Sequence, residues 1–307
     1  MPTTPQPIYV IGSINTDMVA MTDHLPTPGE TVMGGEFMMT AGGKGANQAV
    51  AAARLDGDVT MVGRLGADIF GDQSVARLKA EKINCDFISR DSAAASGVAL
   101  ISVDGEGENH IVVAPGANNT LHIDTIDTAL SSLPENAIVL LQLEIPIETV
   151  AHIISFAKDS NRKVILDPAP ARELPENFLD GLFLITPNET EATHLSGIEV
   201  IDQNSAKAAA KKLLQTGVQN VAITMGADGV LLASGDENLQ LIASPTVNAV
   251  DTTAAGDCFN GALSVALANG LELEEGINKA CHAASISVTR KGAQDSMPFS
   301  NEVNLCL

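Results

Sequence analysis

The sequence predicts an α/β fold: a mainly parallel β-sheet flanked by helices on both faces, with a small separate β element, in a single domain over residues 1–307. Three observations carry this expectation. From about residue 123 onward, short apolar runs of strand length alternate with amphipathic runs of helix length, a pattern that right-handed crossovers turn into a parallel sheet. Two stretches, about 16–40 and 95–115, are strand-rich without intervening helices, so they belong to a small β element of their own. A chain of 307 residues, 45% hydrophobic and 18% charged, is long and apolar enough for one large core.

In order, residues 7–12 read as a short apolar strand, after which polar Ser13, Asn15, Thr16 and Asp17 collect. Residues 26–39, rich in Gly, Pro and Thr, suggest strands and turns. The loop Ala41-Gly42-Gly43-Lys44-Gly45 opens a helix with Ala46, Ala49, Val50 and Ala53 along one stripe. Strand 59–63 and helix 72–82 follow, then two strand-like runs, 97–103 and 110–114, around the hairpin signal Asp104-Gly105-Glu106-Gly107. The alternating part gives helix 123–130, strand 138–143, helix 147–158, strand 164–166 and strand 182–185. Helices 189–195 and 205–214 and strand 220–224 complete it.

Residues 246–250, β-branched and apolar at alternate positions, predict a strand running into the loop 251–257. Phe259, Ala262, Leu263, Ala266 and Leu267 then mark a helix that begins near Gly256 and ends at Asn269-Gly270.

Several classes are excluded. Seventeen basic against 38 acidic side chains give a net charge of −21, which opposes contact with nucleic-acid phosphates. No apolar run approaches the ~18–20 residues that cross a bilayer, and residues 1–7 lack the basic flank and apolar segment of a signal peptide, which predicts a cytoplasmic protein without a membrane partner. Cys85, Cys258, Cys281 and Cys306 show no C-x-x-C spacing and are expected as reduced thiols. The histidines form no H-E-x-x-H or clustered pattern, and no G-x-S-x-G elbow is present.

Ligands of an open parallel sheet bind beyond the carboxyl ends of its strands. Asn15 and Asp17, Gln142-Leu143-Glu144, Asp167 to Pro170, Thr186 to Glu191, Thr224-Met225-Gly226 and Asp251 to Asp257 all fall there. The last of these is a capped helix entrance or an anion site. A helix N-terminus carries roughly half a positive charge and four free donors, and ionised Asp257 in its first turn can accept a proton. Gly42 to Gly45 is neither a P-loop nor a dinucleotide fingerprint: it is a tight turn or a place where backbone approaches a ligand. Asn188-Glu189-Thr190-Glu191 is an N-cap with acids behind it, or a carboxylate suited to water-mediated Mg²⁺. Asp17 and Glu144 are turn residues or acceptors for sugar hydroxyls.

Taken together and in this order, the motifs resemble the ribokinase group of the phosphofructokinase-B-type carbohydrate kinases. The matching pieces are Gly12 to Asp17, Pro26 to Thr31, Gly42 to Ala53, Asp167 to Pro175, Thr186 to Ala192, Asp251 to Leu263 and Thr289 to Gln294, nearly the whole chain. The resemblance implies a doubly wound sheet with a small β lid, homodimers through paired lid strands, and ATP-dependent phosphorylation of D-ribose at its 5-hydroxyl. It implies that Asn15, Asp17, Gly43, Lys44, Asn47 and Glu144 hold the pentose, that Asp257 is the base, and that the amides of Ala254, Ala255, Gly256 and Asp257 receive the γ-phosphate.

Asn188, Thr224, Gly226 and Gly229 would line the ATP site, with Glu191 near Mg²⁺ through water. A monovalent cation, K⁺ foremost, would rest on oxygens of Asp251, Thr253, Ser287, Arg290, Gly292 and Ser296. Two departures stand out: Cys258 where Thr is usual, and Cys281-His282 where relatives place Asn or His beside the adenine. A sibling kinase for another sugar or a nucleoside, or a non-catalytic sensor using the same cleft, are the alternatives.

Overall fold

The computed structural model describes residues 5–159, 162–235 and 238–304. The chain enters through β1 (Ile8–Ile11), with all four side chains buried, and passes almost directly into β2 (Asn15–Met21) and β3 (Phe37–Gly42). Helix α1 (Lys44–Arg54), β4 (Val59–Gly66), α2 (Ile69–Ala80) and β5 (Asn84–Asp91) come next, then the hairpin β6 (Gly97–Val103) and β7 (Asn109–Ala114). The alternating part comprises α3 (Ile123–Ser131), β8 (Ile138–Leu141), α4 (Ile147–Asp159), β9 (Lys163–Leu166), β10 (Leu184–Ile185), α5 (Glu189–Ser196), α6 (Gln203–Leu214) and β11 (Asn220–Thr224). Strands β12 (Val230–Ser234) and β13 (Asn238–Ile242) precede α7 (Ala255–Ala268), α8 (Leu273–Ser287) and the short α9 (Ser300–Asn304).

The nine-stranded sheet has the order β13-β12-β11-β10-β9-β8-β1-β4-β5, parallel throughout except for the antiparallel β11/β12 and β12/β13 edge. Side chains of a strand alternate between faces, and this divides the core in two. Tyr9, Ile11, Val139 and Leu141 pack with α3 to α6, whereas Ile8, Val10, Ile138 and Leu140 pack with α1, α7 and α8. From β1 the chain steps one way to β4 and β5 and later the other way from β8 to β13, so the sheet is doubly wound. Its switch point lies between β1 and β8, where the strand ends diverge and leave a crevice.

A second, four-stranded sheet has the order β3-β2-β6-β7. Both of its faces carry open apolar side chains: the register sets Phe37, Met39, Leu100 and Val112 on one face, Phe37 and Val112 each 64% exposed, and Met38, Ile111 and Val113 on the other.

The structure differs from the sequence reading at four places. Strand β5, with polar residues at most positions, shows no clear apolar alternation, and β12 and β13 form an edge hairpin entered through Gly229 at φ 102°. Helix α8 was likewise not anticipated. The strand expected at 246–250 is absent, because Pro245 lacks an N–H and the N–H groups of Val250 and Asp251 both go to Val288 O at the end of α8. With Val247 and Val250 40% and 60% exposed, that alternation reflects no buried face. No described helix is long and apolar enough to cross a membrane. Cys85, Cys258 and Cys281 are free thiols, and Cys306 lies outside the described residues.

Candidate active site

The site begins at the entrance to α7. Ala254 precedes the helix in the left-handed region, at φ 58°. This conformation turns the chain so that the N–H groups of Ala254, Gly256 and Asp257 have no partner among the described residues, whereas Ala255 closes a turn onto Thr252 O at 3.2 Å. Three of the four amides expected at an anion site are therefore open. A Cβ placed on Gly256 would meet nothing within 4 Å, so the glycine leaves room on the cavity side.

Asp257 is 4% exposed, and α1 holds both its oxygens. Asn47 Nδ2 donates to Oδ2 at 2.9 Å, and Gln48 Nε2 donates to Oδ1 at 3.0 Å. The same Gln48 nitrogen donates to Asp167 Oδ2 at 2.7 Å, and Gln48 Oε1 accepts from Gln142 Nε2 at 2.6 Å. Burial pushes the carboxyls of Asp167 and Asp257 up, with Lys44 opposing the shift for both. Burial by itself lowers the Lys44 ammonium, but Asp167, Asp257, Glu144 and Glu191 outweigh it and hold the lysine charged. One lysine thus faces four carboxylates.

The small sheet meets the large one beside this group. Gly43 adopts φ 87°, and a Cβ there would lie 2.6 Å from Asn15 N, so only glycine lets the start of α1 touch β2. Glu144 Oε2 accepts from Lys44 N at 3.1 Å and from Ser13 Oγ. Asp17 faces the same region: burial, then the charges of Glu144 and Asp257, push its carboxyl up to about 6. Asn118, 1% exposed, donates from Nδ2 to Asn15 Oδ1 at 2.7 Å, which commits that oxygen and leaves the Asn15 amide nitrogen without a partner among the described residues.

Two cavities adjoin at the α7 entrance. One, of about 240 Å³, is lined by Lys44, Asp167, Asn188, Glu191, Gly256 and Asp257 among others. The second, of about 300 Å³, is more apolar, with Gly226, Gly229, Val230, Phe259, Cys281 and Ala284 on its walls. Asn188, Thr224, Ala255 and Gly256 line both. Asn188 and Glu191 form a reciprocal capping box at the start of α5, and burial raises the Glu191 carboxyl despite it.

Behind the loop, Asp251 accepts from Thr253 N at 2.9 Å and from Gly292 N at 2.8 Å, tying the loop to the segment after α8. Burial alone would raise the Asp251 carboxyl, but these donors lower it. Ser287 and Ser296 give their hydroxyls to Ala284 O and Ala293 O, and the Arg290 guanidinium pairs with Glu302. The oxygens left here for a cation are therefore chiefly carbonyls. Among the described residues, no cluster of three or more His, Cys, Asp or Glu side chains has the form of a metal cage.

Comparison with known proteins fits this geometry. The family model for pfkB family carbohydrate kinases matches residues 6–300. The chain belongs to this family. As a pfkB-type kinase it is 41% identical to a ribokinase of Haemophilus influenzae, over 96% of both chains, and 39% identical to a deoxyribokinase of Salmonella typhi, over 97% of both. It also resembles the solved structure of Arabidopsis thaliana ribokinase complexed with ribose and ATP, with a TM-score of 0.90, 32% identity and 98% of each chain covered.

Within this pfkB scaffold, Asn188, Thr224, Gly226, Gly229 and Gly256 share one cavity. Asn15, Asp17, Gly43, Lys44, Asn47 and Glu144 gather at the junction of the two sheets. The sequence reading gave no site role to Gln48, Gln142, Asp167 or Asn118. Gln142 and Asp167 stood in strand-end motifs without a role of their own; Gln48 and Asn118 carry no local signal. Of the two departures, Cys258 is fully buried beside Ser287 and lines neither cavity, whereas Cys281 lies on the wall of the apolar one.

Proposed function

We propose that the chain transfers the γ-phosphoryl group of ATP to the 5-hydroxyl of D-ribose. The observation that carries this reading is Asp257: a buried carboxylate held from α1, at the foot of a helix whose first N–H groups are open, between a polar junction and two adjoining cavities. Asn15, Asp17, Gly43, Lys44, Asn47 and Glu144 hold the sugar, and Asp257 takes the proton from its primary hydroxyl. The amides of Ala254, Gly256 and Asp257 receive the transferred oxygens, which are charge-stabilised best by donors fixed in advance. Val230, Phe259, Cys281 and Ala284 offer an apolar wall to the base of ATP.

Mg²⁺ fits the donor set: the ion keeps most of its waters and rests on phosphates, so Glu191, with one oxygen outside the capping box, suffices to hold it through water. Bound there, it neutralises charge on the phosphates. K⁺ would rest on the carbonyl oxygens left near Asp251, Thr253, Ser287, Arg290, Gly292 and Ser296, where it would shape the loop without touching substrate. The small sheet is the lid over the sugar, and its open apolar face supports pairing with a second copy.

The similarity to a deoxyribokinase favours 2-deoxy-D-ribose as a second acceptor. ADP release with a panel of D-ribose, 2-deoxy-D-ribose, fructose and adenosine, in K⁺ and in Na⁺, tests the assignment. The expected result is turnover highest with D-ribose and raised by K⁺. Faster turnover with another acceptor overturns the substrate, and ribose binding without turnover of any acceptor overturns the enzyme.

A further inference from the structure

We infer that Gln48 is a positioning residue, whose amide group, gripped by Gln142 and Asp167, aims the proton-accepting carboxylate of Asp257. The inference rests on the proposed role of Asp257 as base. Gln48 is fully buried in α1, and its single NH₂ group serves two carboxylates, Asp167 at 2.7 Å and Asp257 at 3.0 Å. The orientation of the amide follows from chemistry: turned over, its oxygen would face two carboxylates. Gln142 fixes the other end by donating to Gln48 Oε1, and Asp167 is itself held by Ala169 N at 3.3 Å.

Gln142 shows that this arrangement is not ordinary packing. Among the described residues its own Oε1 is buried without a partner, tucked over Gly12, where a Cβ would come within 1.9 Å. Buried polar atoms are rarely left unpartnered, and an apolar side chain at this position would avoid the defect. The chain instead keeps an amide whose nitrogen locks Gln48. With Asn47 on the second oxygen, the plane of the Asp257 carboxylate is set from one helix.

The charged groups around Asp257 are Lys44, Glu144, Asp17, Asp167 and Glu191. Removing the Gln48 donor removes a hydrogen bond to the ionised form of Asp257 and exposes it to Asp167, so Asp257 titrates at higher pH.

The test is the pH profile of kcat/KM for D-ribose in Gln48→Met, which keeps length and bulk without donors. The acid limb is expected to move up by about one pH unit, so that kcat at a fixed pH below both midpoints falls about tenfold while KM changes less. In Gln48→Met/Gln142→Leu, where no Gln142 amide is stranded, thermal stability recovers and the shifted limb persists. Gln142→Leu alone, which frees the Gln48 amide without touching either carboxylate, shows a smaller shift of the same sign. A Gln48→Met protein that melts earlier yet keeps the wild-type limb overturns the inference and leaves Gln48 a packing residue. Near-wild-type turnover in Asp257→Asn overturns the base itself, so the two failures are distinguishable.

Discussion

Asp17 lies close to Glu144 and Asp257, and burial followed by these charges raises its carboxyl from 3.8 to about 6. When the folded pKa of an acid exceeds its unfolded value, the folded state binds the extra proton between the two. Stability then falls as pH rises through that window, here from near 4 to near 6, and stays lowered above it. Asp17→Asn is therefore expected to be more stable than the wild type at pH 8, by about 1–3 kcal/mol, and no more stable below pH 4. Urea titrations at both values check this, and an advantage independent of pH contradicts it. Legibility at this scale follows sequence distance. Asp257, Lys44 and Glu191 stand in local motifs whose helix starts can be read from a few residues. The bonds of Gln48 span 94 to 209 residues, and a glutamine inside an alanine-rich helix looks like any other until the fold brings β8, β9 and α7 to it.

Helices α1 and α7 pack so closely at Gly261 that a Cβ there would lie 2.6 Å from Ala51 Cβ and 2.8 Å from Gln48 O. That contact carries Asp257 up to Asn47 and Gln48. Gly261→Ala is expected to force the helices apart, lowering stability by about 1–3 kcal/mol and reducing kcat, although alanine is the better helix former. Thermal melts and steady-state rates read both effects; an unchanged melting temperature with unchanged kcat contradicts the packing argument. The period of 3.6 made α7 legible, and alternation of strands with helices made the parallel part of the sheet legible. Edge strands were harder. Strand β5 carries Asn84, Asp86, Ser89, Arg90 and Asp91, and β12 and β13 are set by pairing with β11, which no local pattern announces. Residues 246–250 misled for the opposite reason: they alternate like a strand but pair with no strand among the described residues.

At the scale of the whole molecule, one large sheet supplies the crevice and a second sheet stands over it. The fold class was legible because its signals repeat along the chain. The surface of the small sheet was not, since exposure is a property of the assembled fold. Phe37, Met39, Leu100 and Val112 are exposed neighbours on one of its faces, a group rather than scattered single residues. If two copies pair through it as proposed, Val112→Glu at the exposed strand β7 converts the dimer to a monomer on light scattering after size exclusion. A wild type already monomeric at micromolar concentration contradicts the pairing. The central claim joins all three scales: switch point, packed helices and one carboxylate. Its most direct test is kcat of Asp257→Asn with saturating D-ribose and MgATP, alongside the ribose Kd by calorimetry. The account predicts a fall of ~10²–10⁴-fold with the Kd nearly unchanged; a kcat within tenfold of the wild type contradicts it.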